Sequence, residues 1–486
     1  MISRWQPNQK IIVAVVYVSA MLLNSLDATM INVALPTLAR EFDVSPASIE
    51  SVVLGYLVSL AVFIPVSGWL GDRFGTKRTF LAALFIFTLG SLASGFATSL
   101  NTLVAMRVLQ GVGGGMLTPV GMAMLYRTFA PHERIGVGRV LMFALILGPA
   151  LGPIIGGAIL GAWSWPWIFF VKVPLSAAAL AFGLLFLHEH REEEPGRFDV
   201  GGFLLAGGGF ASIMYGLSEG PQHGWESTVV AILAGGLLAI ALFVAVELRQ
   251  SKPMIDLRLL GNRLFRTTLL VSFFASAAFL GVLFLVPIFL QEVVRLSPLE
   301  TGISTAPEAI GVVVSTQLVA RLYPHVGPRR LMVTGLTIVT GAILLMSDFR
   351  PESNIWFIRG TMFLLGTGMA FIFLPNQAAS LATISRRDTG RATTLTNVQR
   401  QLGSALGVAL LSTVLSTVGA VAATRDSVLI PNVDAYRAAF FVAAGIAIIG
   451  ALWATLVPDE EAAETMVAGR QRARGDTDKA PSTAKS

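Results

Sequence analysis

Among its 486 residues the chain has no cysteine. Disulfides, thiol nucleophiles and thiolate metal sites are therefore excluded. Histidine is also scarce. His132, His188, His190, His223 and His325 all fall in stretches between apolar runs. His188-Glu189-His190 lacks the spacing of a zinc-protease helix, and no Gly-x-x-x-x-Gly-Lys-[Ser/Thr] phosphate loop occurs. A membrane-embedded enzyme and a nucleotide-driven pump both go unsupported. Charge is the third shortage: Asp, Glu, Lys and Arg make up 13% of the chain, against roughly 25% in soluble domains.

Apolar residues fill the gap, at 54% of the chain and a mean hydropathy of +0.71. Runs of roughly 20 apolar residues recur along nearly the whole length, and each can cross a ~30 Å hydrocarbon core as a helix. About fourteen such spans begin near Ile11, Ile49, Thr79, Thr102, Val137, Trp167, Val200, Val229, Phe265, Thr301, Leu331, Ile355, Ala392 and Ala438. The expected fold class is an all-α polytopic membrane protein, and the 48 glycines suit close helix packing in lipid. With Arg4 and Lys10 before an unbroken run from Ile11, the start of the chain reads as a retained span rather than a signal peptide.

The formal charge of +6 does not point to nucleic acid, because the basic residues sit in short loops. Arg73, Lys77 and Arg78, then Arg127, Arg134 and Arg139, then Arg329 and Arg330 mark one side of the membrane, while the alternate loops hold few cations. That bias places both termini in the cytoplasm. The segment Ala320–Arg330 echoes the loop Gly68–Arg78, keeping its Leu, Gly and two basic residues but losing the acid of Asp72 to Pro324. Two related six-span halves are a transporter pattern. The expected division is an N-terminal half over 1–190, a linker and two extra spans over 191–250, a C-terminal half over 251–457, and a disordered cytoplasmic tail over 458–486.

Ionisable residues inside spans are costly and so are functional candidates. Asp27 lies ~24 Å of helix rise beyond Lys10, Glu308 about 10–12 Å inward from its span end and Arg107 ~9 Å inward, so the three fall at similar depth. Burial favours a protonated carboxyl and a nearby guanidinium the ionised one. Asp27 near Arg107 can thus alternate between a proton-bound and an ion-paired state. The structural readings are a backbone N–H acceptor for Asp27, a cap on a broken helix after Pro307 for Glu308, and a tie to backbone carbonyls for Arg107. Arg359 is shallow and Arg400 deeper. Tyr56, Phe143, Phe274, Phe284, Phe371 and Phe373 are candidates to line a cavity, and so, as uncharged polar groups, are Asn376 and Gln377.

Four motifs carry a family resemblance. Gly68-Trp69-Leu70-Gly71-Asp72-Arg73-Phe74-Gly75-Thr76-Lys77-Arg78 resembles the signature loop between helices 2 and 3 of the major facilitator superfamily. Leu26–Pro36, Arg107–Gly115 and Gly148–Gly157 resemble the first-, fourth- and fifth-helix motifs of its fourteen-span drug:proton antiporters. The Trp165–Phe170 and Arg400–Gly407 stretches also fit. The resemblance implies the major facilitator fold, two six-helix halves plus two extra central helices. It also implies proton-coupled export of amphipathic or cationic drugs across the cytoplasmic (inner) membrane by alternating access, with no cofactor beyond the proton gradient as energy source. A dedicated exporter of a lipid, siderophore or other metabolite is the alternative.

With the in-span charges and that resemblance taken together, Asp27, Glu308 and Arg107 are expected to handle protons, and Gly68, Asp72, Arg73, Gly75 and Arg78 to latch conformations. Gly148, Pro149, Gly152, Pro153 and Gly156 tighten span five, and Asn24, Tyr56, Gln110, Asn376 and Gln377 meet substrate. The expected partners are a lipophilic small molecule, protons and membrane lipids around a monomer. A periplasmic accessory protein is neither demanded nor forbidden. The family usually has a neutral Asn where this chain has Lys172; the lysine is expected either to snorkel to the outer interface or to alter substrate choice.

Overall fold

The computed structural model describes residues 8–45, 48–129, 147–148, 151–191, 198–220, 225–250, 253, 255–385, 388–419, 421–423, 429–463 and 466. The first group of helices is α1 (Gln9–Glu41), α2 (Glu50–Phe74), α3 (Thr76–Ser94), α4 (Leu100–Thr128), α5 (Leu151–Ala162) and the broken pair α6 (Trp167–Phe170) and α7 (Lys172–Phe186). Next come α8 (Val200–Glu219) and α9 (Ser227–Arg249). The second group is α10 (Arg263–Glu292), the broken pair α11 (Pro298–Thr305) and α12 (Pro307–Val326), α13 (Pro328–Met346), α14 (Ile355–Ser380), α15 (Thr389–Val418) and α16 (Val433–Ala454).

With each broken pair taken as one, 13 helices among the described residues are long and apolar enough to cross a membrane, and α5 is a shorter apolar one. The expected fifth span starts near Val137, and residues 137–146 lie outside the described residues. A small antiparallel ribbon, β1 (Val421–Ala423) with β2 (Leu429–Pro431), joins α15 to α16.

Side chains at the helix starts accept the backbone N–H groups that the first turn leaves free. Asn8, Ser99, Asn262, Asn354 and Asn432 do so singly, and Ser297 with Glu300 forms a reciprocal capping box at α11. Helix α4 packs between α2 and α3 in the first half, as α14 packs against α12 and α13 in the second. The α8–α9 pair leans on both halves through α2 and α15. Phe63 meets Phe203 edge-on at 5.4 Å, Trp69 tilts over Phe198 at 4.9 Å, and Thr413 donates to the Leu217 carbonyl at 3.0 Å.

The weak internal repeat becomes a physical one at two helix starts. Gly75 (φ +99°) and Gly327 (φ +85°) each make the whole turn between two antiparallel helices, in backbone conformations that L side chains rarely adopt. Each following helix has its N-terminus covered by an acid that follows the last span of the same half. Glu189 accepts from the backbone N–H of Lys77 (2.9 Å) and Arg78 (3.2 Å), and Asp459 accepts from Arg329 N–H (2.8 Å). A carboxylate there complements the positive end of the helix dipole. The first residues of the 458–486 segment, expected without fixed structure, are thus seated: Glu461 also accepts from Leu264 N–H at the start of α10. The segment 467–486 lies outside the described residues.

Two outcomes follow for these caps. Glu189→Ala and Asp459→Ala should each lower stability by about 0.5–2 kcal/mol, the usual cost of a lost N-terminal cap. Gly75→Ala should cost at least ~1–3 kcal/mol through backbone strain, since its Cβ would also press on the Glu189 carboxylate. Thermal unfolding of the purified protein in detergent checks both, and an unchanged midpoint for Glu189→Ala would remove the capping role.

Candidate functional site

Ionic side chains converge inside the first half, where α1, α2, α4 and α7 meet. Asn24 and Asp27 lie three residues apart on α1, and Arg107 and Gln110 three apart on α4, so each pair shares a helix face. Arg107 Nη1 donates to Asp27 Oδ2 at 2.6 Å and to Gln110 Oε1 at 2.7 Å. Gln110 Nε2 donates to Asp27 Oδ1 at 2.9 Å, and Lys172 Nζ bonds the same oxygen. Asp27, Arg107 and Gln110 are fully buried and Lys172 is 3% exposed.

An aromatic rim completes the arrangement. The Arg107 guanidinium stacks on the Tyr56 ring at 4.3 Å, and its Nε donates to the Val52 carbonyl at 3.4 Å. The Tyr56 hydroxyl donates to Asn24 Oδ1, and Asn24 is only half-buried. Lys172 Nζ lies 5.0 Å from the Phe169 ring, a cation–π contact across the α6–α7 break. One carboxylate thus faces two cations, and Arg107 Nη2 is buried with no partner among the described residues. Donors exceed acceptors within this buried cluster.

Glycine makes this approach of helices possible. A Cβ at Gly111 would strike Ser59 Oγ and the Tyr56 carbonyl, and one at Gly115 the Leu60 carbonyl, so α4 lies directly on α2. The run on span five acts likewise on α1: a Cβ at Gly148 would meet Ser25, and at Gly152 Thr29, while one at Gly156 would crowd Met30. Thr29 Oγ1 also donates to the Gly148 carbonyl at 3.1 Å. Pro149 lies outside the described residues.

The fold and the motif glycines agree with a family model described as the Major Facilitator Superfamily, which matches residues 17–408 and 268–482. The chain belongs to the major facilitator superfamily. It is 32% identical over 406 residues to the "Multidrug resistance protein B homolog" of Mycobacterium tuberculosis, covering 82% of this chain and 75% of that protein. It is 29% identical over 454 residues to the "Putative multidrug resistance protein MdtD" of Cronobacter sakazakii, covering 93% and 95%. Among solved structures, the POT family transporter PepTSo superposes with a TM-score of 0.70 at 17% identity, covering 94% of this chain and 98% of that one. The human organic anion transporter MFSD10 superposes with a TM-score of 0.62, also at 17% identity, over 92% and 100%. These two likenesses show the fold alone. This superfamily member is a multi-pass membrane transporter, not an enzyme.

Within the transporter, the other expected site residues fall in separate places. Glu308 does not join Asp27. It stands in the first turn of α12, beyond the break at Ala306, where it lines a small cavity with Thr29, Asn32 and Val33 of α1 and Pro153 of span five. Among the described residues none gives its carboxyl a hydrogen bond or an ion pair. Lys172 does not snorkel; it turns inward to Asp27, because an ammonium at that depth gains more from a carboxylate than from a distant interface. Gln110 belongs to the ionic network rather than to an open cavity wall.

The remaining candidates divide by helix geometry. Asn376 is buried with Oδ1 unpartnered among the described residues, while Gln377, one residue round the helix, is exposed. Phe284 and Phe371 are buried in the core; Phe274 is half-buried, Phe373 is exposed, and Phe143 lies outside the described residues. Arg359 lies over the Trp356 ring at 4.9 Å, and Arg400 donates to Asn397 at 3.3 Å.

In the signature loop, Asp72 pairs with Arg127 of α4 at 3.5 Å and Arg78 with Glu189 at 3.6 Å, while Arg73 is exposed. A Cβ on Gly68 would meet open space, so its place in that loop is not a packing demand here. Sequence reading missed Glu189, and it noted Lys172 only as a departure. The signal for Lys172 was available, since a lysine inside a span needs an anion.

Removing one partner of a buried ion pair leaves an uncompensated charge, a loss of about 3–5 kcal/mol. Asp27→Asn should show a fall of that size in thermal unfolding, because it leaves Arg107 and Lys172 buried together with no anion between them. Adding Lys172→Met to Asp27→Asn should recover part of the loss, because it removes one of the two stranded cations. A double variant less stable by the full sum of both changes would refute the coupling.

Proposed function

We propose that this transporter exports amphipathic or cationic small molecules across the cytoplasmic membrane in exchange for protons, with both termini in the cytoplasm. The observation that carries the reading is the buried Asp27, held by Arg107, Lys172 and Gln110 where α1, α4 and α7 meet. A carboxylate sealed from water and tied to cations is a device for letting a proton and a charged ligand compete. Relatives carrying multidrug resistance names support a lipophilic substrate. Glu308, buried in its cavity between the halves, is a second proton or cation site.

Alternating access is the rocking of the two halves about such a site. The state described here has contacts that close the side taken as external. Arg40 pairs with Glu292 at 2.7 Å, Gln291 donates to the Val33 carbonyl at 2.8 Å, and Gly157 and Gly302 let span five and α11 touch through their backbones. At the other side, Asp72–Arg127 and Arg78–Glu189 are the latch contacts expected to break and re-form.

The reading is tested in sealed proteoliposomes loaded with ethidium, with lumenal pH followed by a fluorescent dye. Native protein should move protons against ethidium, and Asp27→Asn should abolish that exchange. Coupling that survives in Asp27→Asn and disappears in Glu308→Gln would transfer the proton site to Glu308. Ethidium binding with no proton movement would reject the antiport reading.

A further inference from the structure

The first-half cluster holds one acid and two bases, so its proton accounts differ from those of a simple Asp–Arg pair. We infer that the proton exchanged at this site resides on the Lys172 ammonium, and that a lipophilic monocation replaces that ammonium beside Asp27 as Lys172 gives the proton to water. This rests on the antiport reading above and names the atom that releases the proton.

Three observations carry it. First, Asp27 Oδ1 accepts from Lys172 and Gln110 and Oδ2 from Arg107, so the acid is held as a carboxylate and has no proton to give. Second, a guanidinium keeps its charge inside proteins, whereas an ammonium can part with a proton. Of the two cations only Lys172 can therefore be the donor. Third, among the described residues the cluster already carries one positive charge in excess, and Arg107 Nη2 is buried without an acceptor. A monocation arriving with nothing leaving would double the buried excess, which Coulomb repulsion in a low dielectric opposes. Exchange for one proton leaves the excess unchanged, and the neutral amine supplies a lone pair where acceptors are short.

The chemistry balances with one bond broken. The Lys172 Nζ–H bond opens, its electron pair stays on nitrogen, and the proton passes to water admitted with the substrate. Around Nζ, α1 offers Asp27, α4 offers Arg107 and Gln110, α2 offers Tyr56 bonded to Asn24, and α6 offers the Phe169 ring. Helix α3 contributes only Lys77 and Arg78, which sit at the far end of α7 by Leu184 and Glu189. The Phe169 face that now meets the ammonium is the same surface an organic cation would use. Half-buried Asn24 is the network's edge toward accessible space.

The test uses tetraphenylphosphonium, a fixed monocation that brings no proton of its own. Purified full-length protein in weakly buffered detergent is titrated while a pH indicator reads proton release, and binding is measured over a pH series. Native protein should release about one proton per cation bound, with affinity rising about tenfold per pH unit over the range of release. Lys172→Asn should bind without proton release and without pH dependence, and Lys172→Gln guards against a folding defect of that one replacement. Lys172→Arg, a cation that cannot deprotonate, should bind about tenfold more weakly or worse. Proton release by Lys172→Asn and Lys172→Gln equal to native would overturn the lysine assignment and leave antiport standing, as would native-like binding by Lys172→Arg. No proton movement by native protein in proteoliposomes under a tetraphenylphosphonium gradient would overturn both.

Discussion

A charge buried among membrane helices must find its partner inside the protein, and in this transporter that demand fixes the first half. Asp27 on α1 is reached by Arg107 and Gln110 from α4 and by Lys172 from the start of α7. Those bonds draw together helices that lipid would not otherwise push into contact, because lipid tails are as apolar as the helix faces. Among the described residues, the same bonds leave the cluster with one cation too many and Arg107 Nη2 without an acceptor. On the proposed function, its tightest contacts are those that a proton or an organic cation would replace.

Small residues make the geometry reachable. Gly111 and Gly115 seat α4 on α2, and Gly148, Gly152 and Gly156 seat span five on α1, so the cluster lies among backbones in near contact. Span five in turn meets α11 of the other half at Gly157 and Gly302. A movement of α1 that opened the ionic cluster would be felt at once at the seam between halves. Glu308 occupies that seam from the other side, at the α11–α12 break and beside Thr29 and Asn32.

The two halves share a device without sharing its residues. Gly75 and Gly327 make the same sharp turn, and an acid from beyond the last span of each half covers the helix that follows. The first half uses Glu189 and the second Asp459. The signature loop adds Asp72 with Arg127, whereas the corresponding position in the second half is Pro324. The repeat survives in backbone geometry, where φ is constrained, and drifts in side chains, where many donors can serve.

Composition and periodicity by themselves determined that this chain is a bundle of membrane spans. About fourteen apolar runs admit no other reading, and the order of the glycine motifs pointed to the superfamily. Rise per residue also put Asp27, Arg107 and Glu308 at similar depth on their helices; that Asp27 and Arg107 are neighbours was decided by packing. Rotation about each helix axis is not fixed by local sequence, and there only the tertiary structure decided. It turned Lys172 inward to Asp27, sent Glu308 to a separate cavity, packed Phe284 and Phe371 into the core, and divided Asn376 from Gln377. The acids that cap α3 and α13 lie more than a hundred residues from the N–H groups they meet. No local pattern encodes such pairings; they follow from where packing brings the chain back.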